Sequence, residues 1–346
     1  MKNEALFITD VRRMELREIE MPKLSADRVL IQTKHVGICG SDLHFFDNPK
    51  PKWKARPWEL PIVVGHEAAG EVVEVGSAVK DLKVGDLVAV EPGVPCGECD
   101  YCRKGQYNLC RNMQFISSPP NIGAFRRYFD HPANLCFKLP ENVSTLEGAL
   151  VEPLAVGLHA CELAGVKLGH TVVVFGAGCI GLVSMMAARA RGASTVIVID
   201  IFDNRLEKAV KLGADHVINS SRADPVEEVR RILGDGPDVI LECAGAPIIV
   251  EQCMMMAKGD TMVAFVSSMS GDYRYSARAT VLKEIRTVTV FRYRNQYPAA
   301  LRAIASGAID IRSIASHLFK FEEGQHAMEQ SLLNKQNIVK AALEFD

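Results

Sequence analysis

The spacing of apolar positions changes character part-way along this chain. In the first part, short β-rich runs at 28–38 (RVLIQTKHVGI), 69–75 and 87–91 end at or near Gly76, Gly85 and Gly93. Runs of this kind, punctuated by glycine, predict strands. Ser144-Thr145-Leu146-Glu147 then has the form of a capping box, which predicts one helix over 144–163. From Gly169 onward, strand and helix patterns alternate. The strand candidates are 171–175, 195–200, 216–219, 238–242 and 261–266, and the helical stretches between them are 180–191, 205–212, 226–233 and 249–256. Asp224-Pro225-x-Glu227 gives one of these helices an N-cap, a proline at its first position and a glutamate at its third. Such alternation predicts an α/β chain whose second part is a doubly wound parallel sheet.

Residues 171–188 carry no charge and approach the length of a membrane span. Gly176, Gly178 and Gly181 interrupt them, with a β-branched part before and a Met/Ala-rich part after. The stretch therefore predicts a buried strand, a tight turn and a helix. Gly176-Ala177-Gly178-Cys179-Ile180-Gly181 matches G-x-G-x-x-G and lies about 20 residues before Asp200, the last residue of the next strand. Glycines at these places permit the turn, the approach of a pyrophosphate and close helix–strand packing. The helix start offers free N–H groups to the phosphates. Asp200 suits the adenosine ribose hydroxyls and would repel a 2′-phosphate, which favours NAD. Arg205 points the other way, since it could pair with such a phosphate.

Cys96, Cys99, Cys102 and Cys110 follow the spacing C-x2-C-x2-C-x7-C. Four thiolates so close suit one tetrahedral zinc with no open position, a structural site. An iron–sulfur cluster uses closely spaced cysteines as well, but the C-P continuation of the ferredoxin run is missing. Unrelated buried cysteines are the third reading. With ten cysteines and four of them clustered, the composition fits a reducing compartment, with the cytoplasm expected, better than a disulfide framework. The N-terminal stretch lacks an apolar core of signal-peptide length. Lys and Arg number 40 against 42 Asp and Glu, a net charge of −2, so nothing points to nucleic acid or an acidic membrane surface.

Three further motifs hold metal-ligating side chains: Cys39-Gly40-Ser41-Asp42-Leu43-His44, Gly65-His66-Glu67 and Val151-Glu152-Pro153. A thiolate, an imidazole and carboxylates are all zinc ligands, and a catalytic zinc keeps one position open. Taken singly, Cys39 also reads as a core thiol, His66 as a turn histidine and Glu152 as a helix-face charge. Spacing alone does not bring them together.

In this order, the Cys39–His44 motif, Gly65-His66-Glu67, the four-cysteine loop and the glycine motif resemble the zinc-dependent medium-chain dehydrogenase/reductase superfamily over essentially the whole chain. Glu67, Ala149-Leu150-Val151-Glu152-Pro153, Ser118-Pro119-Pro120 and Val290–Pro298 sharpen the likeness toward sorbitol (L-iditol) and xylitol dehydrogenases. The resemblance implies a GroES-like β domain from 1–155 and 296–346, a Rossmann domain from 156–295, and an active site in the cleft between them. It implies two zinc ions per chain. One is catalytic, on Cys39, His66 and Glu67, with Glu152 reaching it directly or through water. The other is structural, on the four cysteines.

By the same likeness Ser41 takes the proton of the alcohol, His44 passes it toward solvent, and Asp42 orients His66. Cys179, Ile180, Phe291 and Arg292 join the glycines, Asp200 and Arg205 around NAD. Phe45, Phe115, Glu152, Arg292 and Tyr293 face the substrate. Phe45 stands where a tyrosine is common, which removes one hydroxyl. The implied reaction is NAD-dependent oxidation of a polyol secondary alcohol to a ketose by a homotetramer. The lysine-rich stretch 50–56 reads as a solvated loop or as a preference for a sugar acid of the L-idonate kind. Sugar-phosphate or threonine oxidation keeps the chemistry and changes the substrate. A catalytically inactive dinucleotide-binding protein is the rival of another class.

Overall fold

The computed structural model describes residues 2–49, 59–268 and 272–346; the lysine-rich stretch 50–56 lies outside them. The chain forms two compact units. One holds the chain up to Glu152 together with Tyr297–Ala305 and Ala315–Asp346; the other holds Pro153–Gln296 and Ser306–Ile314. Residues 306–314, expected with the β domain, instead belong to the second unit. There Ile309, Ile311 and Ile314 are buried and the 3-10 turn Ile311–Ile314 lies against the helix Cys179–Ala190.

In the first unit a largely antiparallel seven-stranded sheet runs in the order Cys136–Lys138, Leu87–Val90, Glu67–Val75, Arg28–Gly37, Ala341–Glu344 and His317–Lys320, with Tyr128–Pro132 also paired to Arg28–Gly37. A smaller sheet joins Arg13–Ile19, Asn3–Asp10 and Ile62–Val63. Their apolar faces enclose Phe46, Phe125, Phe129 and Phe321, all with no exposed surface. The C-terminal strand Ala341–Glu344 pairs antiparallel with residues 35–37, so the chain's last run lies beside the strand that leads into Cys39.

The second unit is a six-stranded, wholly parallel sheet. Its order is His216–Asn219, Thr195–Asp200, Thr171–Phe175, Val239–Glu242, Met262–Phe265 and Arg286–Thr289. Strand order reverses after Thr171–Phe175, which is where α/β sheets bind ligands at the strands' C-terminal ends. The five strands read from the pattern keep their bounds to within a residue, and Arg286–Thr289 adds a sixth. Asp224 caps its helix by accepting from the amides of Val226 and Glu227. No helix among the described residues is long and apolar enough to cross a membrane.

One element departs from expectation. The capping box forms, with Glu147 Oε2 accepting from the Ser144 amide at 2.8 Å. The helix it starts, however, is only Thr145–Ala149, and a second helix, Val151–Leu163, begins after Leu150. Pro153 has no N–H to give the Ala149 carbonyl, so one hydrogen-bond ladder cannot run through.

Candidate metal centres and dinucleotide site

The four-cysteine loop is built by local turns. Gly97 and Gly105 take φ of +76° and +72°, and Cys99 is the N-cap of the short helix Asp100–Arg103. The sulfurs of Cys96 and Cys110 are 3.5 Å apart, those of Cys99 and Cys102 3.5 Å, and those of Cys96 and Cys102 4.0 Å. A tetrahedral zinc with bonds of about 2.3 Å needs sulfurs about 3.8 Å apart, while a disulfide needs about 2.05 Å. All ten cysteines are free thiols. Hydrogen bonds from the amides of Cys102 and Arg111 bring Cys99 down to about 6, while burial pushes the neighbouring Cys102 thiol up to about 12. Tyr107 ties the loop to the sheet by donating to Glu91 at 2.8 Å. Burial, opposed by Tyr107 and aided by Glu152, pushes the Glu91 carboxyl up to about 7.

The second cluster joins distant segments. A ligand atom from each of Cys39, His66 and Glu67 lies within 4.8 Å of the other two. Asp42, in the first turn of the helix Gly40–Asp47 and fully buried, organises the cluster. It accepts from the Cys39 amide at 2.9 Å, the Gly65 amide at 3.0 Å and the Ser117 hydroxyl at 3.1 Å. Its Oδ1 stands 3.6 Å from Nδ1 of His66. Burial acts to lower the His66 pKa, but the charges of Asp42 and Cys39 outweigh it and hold it well above the ordinary value. The same two neighbours favour positive charge at this point, which a proton or a metal ion would supply.

Two glycines clear space here. At Gly65 (φ +91°), a Cβ would lie 2.3 Å from the Phe125 ring; at Gly37, a Cβ would lie 1.9 Å from Oε2 of Glu67. Lys340, on the run that enters the last strand, meets both oxygens of Glu67 at 2.7 and 2.8 Å and donates to the Ile38 carbonyl at 3.0 Å. Both side chains are almost wholly buried. A carboxylate has about four acceptor positions, so Glu67 retains lone pairs for a metal. The Phe115 ring lies 5.4 Å from that of His66. Glu152 is buried at the start of Val151–Leu163 but does not join the trio. Ser41 and His44 are exposed on Gly40–Asp47, three residues apart and so on one side of that helix. Phe45 packs, partly buried, against the first unit's core.

In the second unit the glycine motif connects Thr171–Phe175 to the helix Cys179–Ala190, with Ile180 in its first turn. Gly176 takes φ +90°, and a Cβ at Gly181 would lie 1.6 Å from the Gly176 carbonyl oxygen. Gly178 is the helix N-cap. Asp200 accepts from the amides of Ala177 at 2.6 Å, Ile201 at 2.7 Å and Phe202 at 3.0 Å. It therefore fixes the loop as well as presenting a carboxylate. Nη1 of Arg205 is 3.9 Å from Oδ2 of Asp200, and its guanidinium covers the Phe202 ring. Arg292, at φ +54°, folds over Phe291, while Tyr293 is buried.

The sequence profile of the alcohol dehydrogenase GroES-like domain matches residues 25–141, and that of the zinc-binding dehydrogenases matches 179–306. The chain belongs to the zinc-dependent medium-chain alcohol dehydrogenases. It is an NAD- and zinc-dependent oxidoreductase of the sorbitol dehydrogenase-like group. The L-idonate 5-dehydrogenase of Vitis vinifera is 40% identical over 93% of this chain and 89% of its own length. The sorbitol dehydrogenase of Bacillus subtilis is 38% identical over 97% and 96%. A crystal structure of an Escherichia coli oxidoreductase of unknown specificity superposes with a TM-score of 0.95 at 38% identity, covering all of both chains.

Two features of this dehydrogenase's site were absent from the sequence reading. Lys340 left only a faint signal, a single lysine amid the apolar residues of Ile338–Leu343. Ser117 left none, because its contact with Asp42 spans 75 positions.

Proposed function

We propose that this dehydrogenase oxidises a polyol or sugar acid at the secondary carbon next to a terminal CH2OH. Cys39, His66 and Glu67 hold its catalytic zinc, and Cys96, Cys99, Cys102 and Cys110 its structural one. The trio organised by Asp42, with His66 and Glu67 buried and Cys39 half-buried, carries this reading. The relatives support the substrate class: one is named for sorbitol, a polyol, and one for position 5 of L-idonate, a secondary alcohol beside a terminal CH2OH. When bound, zinc supplies Lewis acidity toward a substrate hydroxyl and NAD supplies the hydride acceptor.

The chain's own residues do the rest. Asp42 keeps Nδ1 of His66 turned toward itself, which leaves Nε2 to ligate. Lys340 balances the Glu67 charge in a dry site. Ser41 receives the hydroxyl proton and His44 carries it outward. Glu152 is a buried acceptor for a substrate hydroxyl or a water. Phe115 and Phe45 supply apolar surface, and Arg292 and Tyr293 donate to hydroxyls further along the substrate.

NADH formation with a panel of alditols and aldonates tests the proposal. Turnover of at least one such compound well above that of 2-butanol is expected, with Arg292→Ala lowering kcat/KM for the polyhydroxylated substrate far more than for 2-butanol. Turnover of 2-butanol alone, or an equal loss for both, would reject the assignment. Asp200 selects NAD over NADP, and Cys179, Phe291 and Arg205 complete the dinucleotide site. The assembly is a homotetramer in the cytoplasm. Arg286–Thr289 is an edge strand, with Val281, Leu282 and Phe291 exposed close by in sequence, which suits pairing across a two-fold axis.

A further inference from the structure

Arg126 and Arg127 are sequence neighbours in contrasting surroundings. Arg127 reaches Glu4 at 2.9 Å and also Glu322. Arg126 forms no ion pair among the described residues, and its Nε is buried without an acceptor. Its guanidinium lies 5.6 Å from the centre of the Phe129 ring. Burial pushes it down to about 10, with Asp130 opposing and Arg28 adding to the effect.

Arg126 lines a cavity of about 240 Å3 in the first unit with Arg28, Gln114, Asn121, Asp130 and His131. The one carboxylate there is already engaged, since Asp130 pairs with Nε of Arg28 at 2.5 Å. His131 contributes no charge, because burial pushes it down to about 3. Its Nε2 is 2.9 Å from the Glu91 carbonyl, which can only accept, so the single ring proton is on Nε2. Two guanidiniums therefore face one carboxylate, and the cavity carries one uncompensated positive charge. One amide N–H of Asn121 goes to the Ser118 carbonyl at 3.1 Å, and the side chain has a second to offer.

We propose that this cavity binds a small oxyanion, a phosphate or carboxylate group, with Arg126 as its charged partner and the side-chain amides of Asn121 and Gln114 as further donors. A planar guanidinium with several N–H groups matches an oxyanion's geometry, and one bound monoanion closes the charge count. The cavity residues belong neither to the metal trio nor to the glycine loop, so this ligand is separate from substrate and dinucleotide.

Calorimetric titration of the zinc-loaded enzyme, saturated with NADH so that the dinucleotide's phosphate positions are filled, tests the site. Inorganic phosphate is the probe in one arm and acetate in the other. Saturable binding in at least one arm is expected, and the arm identifies the group. Arg126→Met should weaken that binding tenfold or more and should not lower the melting temperature in anion-free buffer. Should Arg126→Met prove too unstable to titrate, Asn121→Ala decides: severalfold weakening supports the site and unchanged affinity overturns it. Absence of binding in both arms, or equal affinity of wild type and Arg126→Met, also overturns it.

Discussion

Cys96, Cys99, Cys102 and Cys110 are brought together within one loop, by glycine turns and backbone amides of that loop. Cys39 lies on one segment and His66 and Glu67 on another, and further segments hold them there: Ser117 through Asp42, and Lys340 from near the chain's end. Tyr107 anchors the loop to the rest of the first unit through Glu91. The trio depends on the whole unit's fold. Damage to the two centres should accordingly show up in different measurements, and four experiments can break or sharpen that contrast.

The largest effect is expected from His66→Ala. It should lower kcat/KM more than about a thousandfold, about 4 kcal/mol of transition-state stabilisation, and leave one zinc of two. Cys99→Ser should do the converse, losing the other zinc and melting earlier while the folded enzyme still turns over. Metal analysis with kinetics on both variants checks this, and a folded Cys99→Ser enzyme without activity would refute the separation.

Lys340→Met removes the partner of a buried carboxylate and should destabilise the fold by about 3–5 kcal/mol. Adding Glu67→Gln should recover part of that loss, as read from denaturant unfolding of the single and double variants. No recovery would mean that Lys340 acts through the Ile38 carbonyl instead.

Asp42→Asn keeps the shape but loses the charge facing His66. A loss of about 10–100-fold in zinc affinity or turnover is expected, as for other residues that orient a metal ligand. Competition with a chelator would show it. An unchanged affinity would leave Asp42 as packing alone.

The last effect concerns Glu91 and appears in stability alone. Its folded carboxyl titrates at about 7, above the ordinary 4.5. Between those values the folded chain keeps a proton that the unfolded chain releases, so the contribution of Glu91 to stability falls as pH rises from about 4.5 to about 7. Glu91→Gln should remove that dependence, roughly 2–3 kcal/mol, in melts compared at pH 5 and 8. A slope unaltered by the substitution would place the titration elsewhere.

Legibility in the sequence followed locality. Strand and helix bounds in the second unit, the cap at Asp224 and the glycine turn were readable because each depends on residues a few positions apart. The division of the expected helix at Leu150 was readable too, had Pro153 been given its full weight against the Ala149 carbonyl. The use of Asp200 to brace its own glycine loop was not, because that contact crosses between two strands.

By itself the sequence determined the alternating α/β pattern, the thiolate loop and the dinucleotide turn, all products of short-range periodicity and spacing. Only the tertiary structure decided that Cys39, His66 and Glu67 converge while Glu152 stays outside the trio. It alone placed Lys340 against Glu67, by pairing the last strand with residues 35–37. The physical reason is that a buried charge must find its partner in space, and strand pairing across most of the chain's length sets which side chain that is.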